Sequence, residues 1–70
     1  MNDQAILSRV SQNIRKAMKN QGLTQAELAR AASVNPMLIH RVLRSAHMPS
    51  AANLQKIAIA LGSDISEIMT

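Results

Sequence analysis

His40, Arg41 and Arg44 fall within one short stretch, PMLIHRVLR, that contains no acid. Imidazole and guanidinium groups on one element suit a polyanion, and the fork of Arg41 has the bidentate shape that matches guanine O6 and N7. Bond-breaking chemistry has no comparable cluster. The four acids, Asp3, Glu27, Asp64 and Glu67, are scattered, and three stand at helix starts, where capping accounts for them. Neither a Ser/His/Asp grouping nor a glycine-rich phosphate loop is present, so no enzyme is expected. His40 and His47 have neither a Cys nor a third His to complete a zinc site, and no metal or cofactor is expected.

The composition agrees with a polyanion partner. Eight Lys plus Arg against four Asp plus Glu give a net charge of +4, and between Lys16 and Asp64 the only acid is Glu27. A basic surface of this kind attracts nucleic acid. Seventy residues make one domain, 1–70, with one small core and no room for a spacious catalytic cleft. The chain lacks Phe, Tyr, Trp and Cys, so Leu, Ile, Val, Ala and Met must build that core and no disulfide or thiolate site exists. The first residues do not read as a signal peptide, and no apolar run approaches the ~20 residues that span a bilayer. A cytoplasmic protein without a membrane partner is expected.

The elements that must position these cations read as five helices and no strand. Ile6, Leu7, Val10, Ile14, Ala17 and Met18 recur at three- and four-residue steps, predicting a first helix from Asp3 to Gln21 that Gly22 stops. Thr24 and Glu27 have the spacing of a capping box, which starts a second helix at Gln25 with Leu28, Ala29 and Ala32 inward. Asn35 as N-cap and Pro36 at the first helical position open a third, with Ile39, Val42 and Leu43 inward and an end near Arg44 or Ser45. Ser50 caps a fourth, with Leu54, Ile57, Ala58 and Leu61 inward and Gly62 as its stop. Ser63 or Asp64 opens a short fifth bearing Ile65, Ile68 and Met69.

Helices two and three are joined by so few residues that they form a helix-turn-helix, about 24–45, whose second helix can enter a DNA major groove. On that helix Met37 can pack on a thymine methyl, while His40 and Arg41 face base edges one turn further on. Arg44 lies a further turn along and suits a phosphate. Thr24 and Gln25 stand at a helix start, where amide donors and the dipole attract an anion, and Asn35 holds the same position on the next helix. A second phosphate clamp is available from Ser50 and Asn53, with Arg44 and His47 beside them. Thr24 and Glu27 serve the helix start whether or not DNA is bound. Lys16 and Lys19 read mainly as solubilising charges.

In order and spacing, several pieces resemble the xenobiotic-response-element type of helix-turn-helix, the family of phage Cro proteins and the amino-terminal domains of phage repressors. They are Gly22-Leu23-Thr24-Gln25-Ala26-Glu27-Leu28-Ala29, Val34-Asn35, Ile39, Pro49-Ser50 and Leu54-Gln55-Lys56-Ile57-Ala58-Ile59-Ala60-Leu61-Gly62. The resemblance runs from Ile14 to Ile68 and implies a lambda-repressor-like fold of five helices, with the residue matching Gln25 bonding a phosphate. Where the family often pairs an Arg on helix one with a Glu on helix three, this chain has Met18 and Leu43. Replacing both partners by apolar groups avoids a stranded charge and predicts that the two side chains meet. Ser33 and Ser45 stand where the family often has Gly, at positions that can ask for a left-handed backbone. Pro36, Met37 and Leu38 replace the polar residues that commonly open the recognition helix.

These readings converge on a sequence-specific regulator of transcription that binds double-stranded DNA, a repressor of the phage or mobile-element kind. With the fifth helix at the end of the chain, no separate ligand-sensing domain is expected. The family's pairing on two half-sites implies a homodimer on a palindromic operator, with Ile65, Ile68 and Met69 as candidate self-contacts. A second reading rests on Met37, Leu38 and Met48, expected to be exposed. It makes the domain a protein-interaction module, an antiactivator or an antitoxin-like partner of another regulatory protein, that does not itself read DNA.

Overall fold

A computed structural model describes residues 3–70, so the first two residues of the expected domain lie outside the described ones. Five helices follow one another: α1 (Asp3–Gln21), α2 (Gln25–Ala32), α3 (Pro36–Leu43), α4 (Ala51–Ala60) and α5 (Ile65–Met69). No strand occurs among the described residues.

Each start after α1 is fixed by its own cap. Thr24 Oγ1 accepts the Glu27 amide at 3.1 Å, while Glu27 Oε1 accepts the Thr24 amide at 2.9 Å. Asn35 Oδ1 accepts the Met37 amide at 2.8 Å, and Pro36 follows at the first helical position, where its missing N–H costs no bond. Ser50 Oγ accepts the Asn53 amide at 3.1 Å. Asp64, not Ser63, caps α5, and with Glu67 it forms a second capping box.

The helix ends share one device. The left-handed residue after each of the first four helices returns its amide to the helix three residues back, and the next amide reaches five back. After α1 these bonds are Gly22 N to Lys19 O at 3.2 Å and Leu23 N to Met18 O at 3.0 Å. The same pair recurs at Ser33 and Val34, at Ser45 and Ala46, and at Gly62 and Ser63, which is the Schellman arrangement. Gly22 and Gly62 take it at φ +67°, and the two serines adopt φ 56° in its place. The left-handed backbone expected at Ser33 and Ser45 is therefore present at both.

All five helices contribute to one apolar cluster. Val10, Ile14, Leu28, Ile39, Val42, Ile57, Leu61 and Ile68 are its largest fully buried members. At ~1.5–3 kcal/mol for each such side chain, aliphatic burial drives folding without any aromatic ring. Met18 and Leu43 are both buried in this cluster and line the same notch. α2 packs against α3 and α4, and α1 against α3 and α5.

Candidate nucleic-acid interface

The start of α2 carries Thr24 and Gln25, both exposed. The capping box occupies the amides of Thr24 and Glu27, and the amides of Gln25 and Ala26 lie in the first turn, outside the helix's own ladder. The Thr24 amide donating to the Glu27 carboxylate, with the Thr24 hydroxyl second, holds that acid below the usual carboxylate range. Its charge is thus committed to the cap. Gln25 borders a notch of about 330 Å³ that it shares with Arg15, Met18, Lys19, Leu23 and Leu43, so two cations stand beside this helix start.

On α3 the inner face is Ile39, Val42 and Leu43, all buried. Met37, His40, Arg41 and Arg44 recur at three- and four-residue steps on the other side and are all exposed. The residues expected to meet base edges thus share one exposed face. Asn35 is exposed too, with Oδ1 held by the Met37 amide, so only the rest of its side chain is available to a phosphate. The expected exposure of Leu38 is corrected: it is half-buried against the core. The reason is helical spacing, which places Leu38 one turn before buried Val42 and one turn after half-buried Val34.

Beyond α3 the chain turns through Ser45, and buried Pro49 anchors the loop before Ser50 starts α4. His47 and Ser50 are exposed and Asn53 is half-buried. Ser50 and Asn53 are joined through the cap, which leaves the Asn53 side chain uncommitted by that bond. Arg44, His47, Ser50 and Asn53 accordingly follow one another along the chain on a continuous connection from α3 to α4. Met48 is exposed at its middle.

One set of contacts was not legible as a site. Ser11 Oγ and Arg15 Nη2 on α1 both donate to the Leu43 carbonyl oxygen, at 2.8 and 2.7 Å. Gln4 Nε2 lies 3.4 Å from the Ser45 carbonyl oxygen, on the same helix end. The available signal was Ser11 itself, a polar residue inside the stripe Leu7, Ile14 and Met18, with Arg15 one turn further on.

For self-association the candidate set changes. Ile68 is 1% exposed and belongs to the core, because α5 is so short that its central apolar side chain must close the cluster against α1. It is withdrawn as a surface contact. Ile65 is half-buried, and Met69 remains, 41% exposed. The sequence pattern gave no sign of Ile59 on α4, which is 67% exposed.

Two short helices joined through a left-handed serine, the second and its C-cap presenting exposed His40, Arg41 and Arg44, inside a five-helix frame, define a lambda-repressor-like helix-turn-helix fold. The chain belongs to the helix-turn-helix family, whose model matches residues 14–68. Two solved structures are similar over nearly all of it. A hypothetical transcription factor, NHTF, from Neisseria superimposes with a TM-score of 0.90 at 25% identity, covering 100% of this chain and 82% of that one. The restriction-modification controller protein C.AhdI from Aeromonas hydrophila gives a TM-score of 0.86 at 28% identity, covering 91% of this chain and 97% of that one. No functionally curated protein matches the sequence. Family and neighbours together support a DNA-binding regulator of transcription.

Proposed function

We propose that this protein is a sequence-specific transcription regulator of the repressor kind, binding a palindromic operator in the cytoplasm as a homodimer. The observation that carries the reading is the outer face of α3 and its C-cap: Met37, His40, Arg41 and Arg44 are all exposed, and no acid occurs on that helix. In this reading α3 lies in the major groove, with Arg41 on guanine, His40 on a neighbouring base edge and Met37 against a thymine methyl. Thr24, Gln25 and Asn35 hold the backbone at one side, and Arg44, His47, Ser50 and Asn53 hold it at the other. Neither set acts as a catalyst. The transcription factor and the controller protein among its structural neighbours are consistent with this role.

Two copies on half-sites about one helical turn, ~34 Å, apart would double the contact. Met69 and Ile59, with Ile65 beside them, are the apolar side chains for that pairing. α4 and α5 pack on each other, which places Ile59 and Met69 on neighbouring elements.

Selection of duplexes from a random library, followed by titration at low and physiological salt, tests the proposal. A selected palindrome should be bound far more tightly than random DNA, with a slope set by released counterions. Arg41→Ala should cost ~1–3 kcal/mol on the selected duplex and relax its preference, while Gln25→Ala should weaken all duplexes alike. Absence of binding even at low salt would reject the reading. The second reading, a protein-interaction module, is favoured by one observation, the 51% exposure of Met37 at the amino-terminal end of the face. A partner held by that side chain would respond little to salt.

A further inference from the structure

Two side chains of α1 converge on a single oxygen of α3. Leu43 is the last residue of α3, and the turn that follows spends its amides on the carbonyls of His40, Arg41 and Val42, leaving the Leu43 carbonyl to other donors. Ser11 and Arg15 take up both lone pairs of that oxygen, at 2.8 and 2.7 Å. The guanidinium also sits at the negative end of the α3 dipole, where a cation is favoured. Met18 and Leu43 are apolar, so these two donors carry the polar tie of α1 to the last helical residue of α3.

We propose that Ser11 and Arg15 are positioning residues for DNA reading: by holding the Leu43 carbonyl they fix the rotation and axial placement of α3, and hence how Met37, His40 and Arg41 are presented. This rests on the reading of α3 as the recognition helix. Base readout tolerates little misplacement, and side chains that read must be held within ~0.5 Å by the residues behind them. Ser11 is the decisive member. It is 3% exposed, so it does not touch DNA itself, and its hydroxyl is bonded to the end of α3. Arg15, by contrast, borders the notch shared with Gln25 and Lys19, where it could touch a phosphate directly.

The test uses the full chain as Ser11→Ala, Arg15→Met, Arg15→Lys and the Ser11→Ala/Arg15→Met pair, each compared at a temperature where circular dichroism shows it folded. Binding to a selected and a random duplex is titrated at two salt concentrations. Amide hydrogen exchange is followed at Ser45 and Ala46, whose N–H groups close the end of α3. Ser11→Ala should weaken the selected duplex about threefold and leave the random one unchanged, the size of one neutral hydrogen bond. The double variant should lose about tenfold on the selected duplex, exchange at Ser45 and Ala46 should quicken, and Arg15→Lys, which keeps a donor, should recover most of the selectivity lost in Arg15→Met.

Unchanged exchange at both amides overturns the proposal whatever the duplexes do. It is overturned equally if Ser11→Ala is silent and Arg15→Met weakens both duplexes alike with a salt slope reduced by about one, which makes Arg15 a phosphate contact. A wild-type chain that binds neither duplex overturns the recognition-helix reading and this role with it. That failure is told apart by the wild-type titration alone.

Discussion

At their carboxyl ends α3, α4 and α5 are tied to α1, whereas at their amino ends α2, α3 and α4 close on themselves. Leu43 is held by Ser11 and Arg15, Leu61 by Gln21, Ile68 by Asn13 and Thr70 by Arg9. The amino ends rely on Thr24, Asn35 and Ser50, all exposed. A helix end needs partners for its unpaired backbone groups, and those partners can be found inside or outside the molecule. Here the carboxyl ends of three helices are hydrogen-bonded by side chains of one helix. Three positive ends are left at the surface, where phosphate oxygens can approach them. The start of α5 differs, since Asp64 and Glu67 place two acids there and make it the wrong end for an anion. A mechanical frame and the proposed binding surface are thus separated within 70 residues.

The largest effect should come from cutting one of the internal ties. Asn13 Nδ2 donates to the part-buried Ile68 carbonyl at 2.7 Å, so Asn13→Ala leaves that oxygen without its partner and should cost ~1–3 kcal/mol of stability. In a domain this small that lowers the melting temperature by ~4–8 °C for each kcal/mol, read by circular dichroism. Asn35→Ala, at an outward end, should cost ~1 kcal/mol through the lost cap. Its larger consequence should be on DNA, because the start of α3 is then both frayed and stripped of an amide. A stability loss larger for Asn35→Ala than for Asn13→Ala would break the division between frame and surface.

The same division explains what could be read from the sequence. Capping residues act on amides two or three positions away, so Thr24 with Glu27, Asn35 with Pro36, and Ser50 announce their helices locally. The apolar stripes of α1 to α4 announce the core for the same reason, and helical periodicity alone gathers Met37, His40, Arg41 and Arg44 on one face. The ties are different. Asn13 and Ile68, or Arg15 and Leu43, lie far apart in sequence, and a polar residue on an amphipathic helix looks the same whether it meets water or a distant carbonyl. The two roles open to Ile68, core and self-contact, could not be separated for a related reason. With only five residues in α5, periodicity could not tell which of Ile65, Ile68 and Met69 turns inward, and the packing against α1 decides it.

A smaller effect, of opposite sign, is expected where serine stands in a glycine's conformation. A left-handed backbone costs an L-residue ~1–2 kcal/mol, and glycine gives back ~0.5–1 of that through its freer unfolded chain. Ser33→Gly and Ser45→Gly should each therefore raise stability by about 0.5–1 kcal/mol in urea unfolding. Gly22→Ala should lower it. A Cβ at Gly22 meets nothing within 4 Å, so any loss there is backbone conformation alone. If Ser45→Gly is stabilising yet weakens DNA binding, the end of α3 matters for function as well as for the frame, which sharpens the contrast.

The smallest effect concerns the one acid of the outward-facing helix starts. Glu27 is held below the usual carboxylate range because the Thr24 amide donates to its charged form. A depressed folded-state value means that this contribution to stability is complete above the ~4.3 of a free Glu and is lost as pH falls through the lower value. An NMR titration of the Glu27 carboxyl should show a midpoint below that of a free side chain, and Glu27→Gln, which can still accept the amide, should remove the acid-side slope. The same substitution probes the surface. If phosphate lies at the start of α2, deleting the only acid there should tighten DNA binding about twofold to fivefold at low salt. Unchanged affinity would take Thr24 and Gln25 out of the interface and leave α3 to carry it, because a charge beside a bound phosphate cannot be removed without effect.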